Sequence, residues 1–161
     1  MHPSRILAVV LPISIAAACD PIAGITVRQR LSPAPASNCV RSALTALPLV
    51  DNVIPGDLLA GRERGYALSI GLRDSVGRAG VPMPPRLEMI ELTPDTMELR
   101  LRIDYFGQTT WNLDSAKVGR LINMARPMTR AIHDTCAPSS QPTPICRVDG
   151  AGRSRPCAPA I

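Results

Sequence analysis

Side chains able to do chemistry are few in this chain and widely spaced. His133 and Cys136 stand three residues apart, a spacing at which one helix can present two ligands to a metal ion. No further ligand completes a set beside them, and Asp134 reads as a solvated neighbour. Glu88 and Glu91 could work as an acid and base pair, but both read as surface positions on a strand. Gly77-Arg78-Ala79-Gly80 and Gly150-Ala151-Gly152 lack the strand-to-helix setting in which a glycine loop cradles phosphate. A GxSxG nucleophile elbow and a CxxC redox pair are absent from the sequence. The expectation is a chain with no catalytic constellation, no metal and no cofactor.

The elements that would carry these residues follow from composition and periodicity. A chain of 161 residues with a hydrophobic fraction of 45% suits one packed domain. Aromatics are only 2%, so the core must be built from Leu, Ile, Val, Met and Ala. The 17 prolines are concentrated towards the ends and imply extended segments around a compact middle. The net charge is +5, and Lys117 is the single lysine among 18 basic residues. Arginines scattered among acids read as a solvated face, and nucleic acid is not expected as a partner.

Val40, Ala43, Leu44 and Leu47 fall at helical spacing after Ser37 or Asn38, either of which can cap the first turn. Pro48 closes this segment, and Val50–Ile54 can add a brief strand. Tyr66, Leu68, Ile70 and Leu72 alternate with smaller or polar residues, the period of a half-buried strand. Arg86–Leu92 and Met97–Tyr105 read as a hairpin around Pro94-Asp95. If Leu92 lies opposite Met97, Ile90 and Leu99 share the buried face. Leu87 and Met89 then stand on the outer face opposite Arg102 and Arg100. There they either cover arginine stems or begin a partner surface. Phe106 and Trp111 follow, either closing the end of the sheet or projecting as a binding anchor.

The longest helix runs from Ala116 to about Thr135, capped by Asp114 or Ser115. Its stripe of Val118, Leu121, Ile122, Ala125, Met128, Thr129 and Ile132 keeps its phase across Pro127, which favours a bend over a split. The order helix, three strands, helix specifies an α+β two-layer sandwich. Its antiparallel sheet has three or four strands and is covered on one face by two helices.

At the start of the chain, Arg5 precedes an apolar run from Ile6 to Ile15, broken by Pro12 and Ser14, and then Ala16-Ala17-Ala18-Cys19. This is the layout of an export signal. It resembles the signal of bacterial lipoproteins, in which small residues precede a cysteine that is lipidated and becomes the mature N-terminus. Ala16 stands where leucine is most often found. The run is shorter than the ~20 residues of a spanning helix. The resemblance implies a signal peptide over 1–18, lipidation of Cys19, membrane contact through that lipid, and a place in the cell envelope facing the periplasm. Residues 19–37 then read as lipidated cysteine and flexible tether, with Ile22–Val27 able to add an edge strand. Residues 38–136 form the domain, and 137–161 a proline-rich tail.

That compartment is oxidising, so Cys39, Cys136, Cys146 and Cys157 are expected to form two bridges with three possible connectivities. Cys39 opens the first helix and Cys136 ends the last. Antiparallel helices on one sheet face would make those ends neighbours, which selects Cys39–Cys136 and leaves Cys146–Cys157 to tie the tail. The functional expectation is a non-catalytic envelope lipoprotein that binds or helps assemble another envelope protein. The alternative is a small-ligand or lipid-binding module, with a pocket between the sheet and the bent helix lined by residues such as Met124 and Met128.

Overall fold

The computed structural model describes residues 23–58, 63–73, 84–105 and 114–140. The elements are β1 (Ala23–Leu31), α1 (Ser37–Thr45), β2 (Val50–Gly56), β3 (Gly65–Leu72), β4 (Arg86–Thr93), β5 (Thr96–Tyr105) and α2 (Ser115–Cys136). The strands form a five-stranded sheet in the order β1-β5-β4-β3-β2, with every neighbouring pair antiparallel. The α+β class therefore stands, but with five strands and a strand ahead of the first helix.

The two additional strands are the two edges. β2 extends the brief Val50–Ile54 strand to Gly56. β1 replaces most of the expected tether with a nine-residue strand, paired along its whole length with β5. Its alternation explains why it folds in. Ile25, Val27, Gln29 and Leu31 are buried on one face, whereas Arg28 and Arg30 are exposed on the other.

The core lies between one sheet face and the two helices. Leu87, Met89, Leu99, Leu101 and Ile103 from the sheet meet Val40 and Leu44 of α1 and Leu121, Ala125, Met128 and Ile132 of α2. Among the described residues this cluster contains only Leu, Ile, Val, Met and Ala, as the scarcity of aromatics requires. Burying each large aliphatic side chain contributes about 1.5–3 kcal/mol. Tyr66 packs against the edge of the cluster, and its hydroxyl donates to the Pro35 carbonyl at 3.0 Å. Desolvation raises the Tyr66 pKa, which keeps the phenol a neutral donor. This bond ties the segment leading into α1 to the sheet.

The β4–β5 hairpin corrects the expected register. Thr93 lies opposite Thr96, but the ladder shifts between Thr93 and Glu91, so that Glu91 faces Met97 and Met89 faces Leu99. Leu92 is the extra residue of a bulge and is 42% exposed. A one-residue insertion moves every following side chain to the opposite face. Leu87 and Met89 consequently belong to the core, both with 0% exposure, and are not an outer partner surface. Glu88 faces Arg100, and Ile90, not Glu91, faces Glu98. Glu88 and Glu91, on opposite faces of β4, cannot share a site.

Both helices form where their apolar stripes predict, with differences at the ends. α1 begins at Ser37 after Ala36, so neither Ser37 nor Asn38 provides a side-chain cap. Asn38 instead accepts from the Cys39 N–H at 2.8 Å. At α2, Asp114 is the cap, accepting from the Lys117 N–H at 2.7 Å; that bond is the main cause of its lowered pKa. α2 runs continuously through Pro127. Two residues later, the Thr129 hydroxyl reaches back to the Ala125 and Arg126 carbonyls at 3.2 and 3.1 Å. Packing extends one residue beyond Cys136, where Ala137 is fully buried.

Candidate interaction surface

The cysteine geometry settles one chemical question. Cys39 and Cys136 form a disulfide with a Cα separation of 6.0 Å, stapling the first turn of α1 to the last residue of α2. Cys136 is thereby removed as a metal ligand or nucleophile beside His133. Among the described residues no His, Cys, Asp and Glu grouping could hold a metal ion.

His133 has a structural setting of its own. One ring nitrogen lies 2.8 Å from Asp134, and the other meets the Ser140 carbonyl, which can only accept. The Asp134 bond first, and the Ser140 bond second, raise its pKa and favour the imidazolium, which donates to both. The Ser139 hydroxyl donates to the Ser32 carbonyl at 2.8 Å, and Ser140 Oγ accepts from the Ser32 N–H at 2.8 Å. The group therefore clasps the end of β1 to the end of α2.

The sheet face away from the helices carries the charge. In β5, Glu98, Arg100, Arg102 and Asp104 alternate with the core residues, and β4 adds Arg86 and Glu88. Arg102 pairs with Asp104 at 2.6 Å, and Arg86 with Glu88 at 3.2 Å. Arg100 contacts Glu98 and also Glu63, the latter at 3.3 Å. Burial works against the Arg100 charge, but Glu98 and Glu63 outweigh it and raise its pKa. Burial pushes the Asp104 carboxyl up, with Arg102 pulling against it. These exposed and half-exposed pairs individually contribute little, of order 0–1 kcal/mol.

Cation placement is less balanced. Arg86 lies directly opposite Arg102, and Arg28 directly opposite Arg100. Like charges so placed are unfavourable. Arg86 also has a buried terminal nitrogen, Nη2, with no hydrogen-bond partner among the described residues. No ion pair joins Arg28 or Arg30 to a carboxylate among the described residues. Of the residues expected to form a partner surface, the structure thus keeps Arg100 and Arg102 together on the outer face and sends Leu87 and Met89 to the core. Phe106, Trp111, Cys19, Cys146 and Cys157 lie outside the described residues. The contribution of Arg28 and Arg30 was missed because their segment read as a tether; the Thr26, Arg28, Arg30 alternation was the signal for it.

The ligand-pocket residues have packing roles. Met128 is fully buried in the core, and Met124 packs against the same cluster. Among the described residues, no helix is long and apolar enough to cross a membrane. Comparison of the chain with protein-family models, curated proteins and solved structures returns no match.

Proposed function

We propose that this chain is a small lipoprotein of the bacterial envelope, held to the membrane by lipid on Cys19 and acting without catalysis as an interaction or assembly module for another envelope protein. The observation that carries the reading is the outer sheet face, where arginines stand opposite arginines at Arg86–Arg102 and Arg28–Arg100 while the helices cover only the other face. A folded domain gains nothing internally from like charges in register. Glu88, Asp104, Glu98 and Glu63 already offset Arg86, Arg102 and Arg100 within the chain, so Arg28 and Arg30 are the cations left for a partner bearing carboxylates. The signal-like segment ending at Cys19 supports the location, and the disulfide suits an oxidising compartment. The chain has no assigned role for nucleic acid or a cofactor in this reading.

A photoreactive amino acid at position 102 should crosslink the lipoprotein to a second envelope protein in intact cells. The same probe at position 41, on the exposed side of α1, is the control. Crosslinking at 102 but not at 41 supports the reading. Absence of a crosslinked species at 102, or equal yield at 41, contradicts it.

A further inference from the structure

We infer that β1 is the docking edge, and that it accepts an extended acidic segment of a partner protein as a sixth strand; this rests on the interaction reading above and specifies its chemistry. The two edges of the sheet differ. β2 is blunted by a register shift between Val50 and Asn52 and by Pro55, which has no N–H to give a neighbouring strand. β1 runs nine residues in unbroken register with β5 and contains no proline. Among the described residues no strand pairs with its other side, whose alternate backbone N–H and C=O groups suit strand addition.

Charge selects the occupant. Arg28 and Arg30 are both exposed and lie on one face two residues apart; neither forms an ion pair among the described residues, Arg28 standing opposite Arg100 and Arg30 opposite Glu98, which is itself paired with Arg100. A strand added beside β1 would set its own alternate residues opposite them. Carboxylates at those positions would satisfy both guanidinium groups and offset the Arg28–Arg100 opposition. A second copy of β1 would instead add arginines to arginines, so self-pairing is disfavoured. On the other face the incoming residues would lie beyond Val27 and Gln29, both buried where α2 packs on β1. The segment that fits best alternates acidic and apolar residues.

The test uses the full mature chain and a ten-residue peptide of alternating valine and glutamate, with a valine and lysine peptide as control. The glutamate peptide should bind, slow hydrogen exchange at alternate β1 amides, and weaken as salt rises. The double variant Arg28→Glu/Arg30→Glu should lower its affinity about tenfold or more, and Arg41→Glu should leave it unchanged. Circular dichroism and thiol counting on each variant establish that the exposed substitutions leave the fold intact. Equal binding of the lysine peptide, protection outside β1, or an unchanged affinity in the double variant would overturn strand addition. So would arginine-dependent binding to phosphatidylglycerol vesicles without any binding of the glutamate peptide. If the peptide fails while position 102 still crosslinks a protein, only the strand-addition mode falls; if both fail, the interaction reading falls with it.

Discussion

Leu92 determines the faces of the hairpin without belonging to either ladder. Its bulge sends Met89 inward, so Met89→Ala should lower the unfolding free energy by about 2–5 kcal/mol, the cost of deleting a buried side chain and leaving a cavity. Leu92→Ala, at an exposed position, should stay within about 0.5 kcal/mol. Urea unfolding of the two variants separates this register from one in which Leu92 faces Met97, where the magnitudes would reverse. Both registers give β4 an alternating pattern, so the amino-acid types alone did not choose between them. Met89 and Ile90 are adjacent and both buried, on opposite faces, and that doublet concealed the phase. The turn at Pro94-Asp95 was legible from residue type, but the additional residue beside it was not. Gly65 is a further local constraint: its φ is +142°, and a Cβ there would collide with the Met89 carbonyl oxygen. That collision shows how closely β3 approaches β4 at this point.

At the scale of elements, the strongest periodicities translated directly into structure. The α2 stripe placed Leu121, Ala125, Met128 and Ile132 in the core, and the β5 alternation did the same for Leu99, Leu101 and Ile103. β1 was harder to read because Gln29 occupies a core-facing position at 5% exposure, interrupting the apolar alternation between Val27 and Leu31. The residues after it, Ser32 to Ala36, include two prolines and made the whole segment resemble a linker. Cysteine placement carried more information than local pattern, because Cys39 and Cys136 mark the helix ends that the fold brings together. Their bridge has a sequence separation of 97, for which the chain-entropy model gives about 4–5 kcal/mol of stabilisation through the unfolded state. The double variant Cys39→Ser/Cys136→Ser should therefore unfold at a much lower urea concentration than the oxidised chain. Matching midpoints for the two proteins would show that the helices and sheet hold together without the staple.

The described residues combine a helix-covered core, a charged outer sheet face and a regular edge strand, and the sequence ahead of them resembles a lipoprotein signal. Ion pairs within the outer face account for much of its charge, but none joins Arg28 or Arg30 to a carboxylate among the described residues. The candidate surface was only partly legible in sequence: Arg100 and Arg102 were recognisable from β5, while their neighbours depended on the pairing of β1 and on the β4 bulge. Strand pairing is a long-range property, and one sequence read locally does not contain it. The reading proposed above is of a disulfide-stapled envelope lipoprotein. Intact mass of the protein from its native membrane, with and without reduction before thiol alkylation, tests it most directly. The expected mass is that of a chain beginning at an acylated Cys19, with Cys39, Cys136, Cys146 and Cys157 alkylated only after reduction. A mass without lipid, or Cys39 and Cys136 alkylated before reduction, would contradict it.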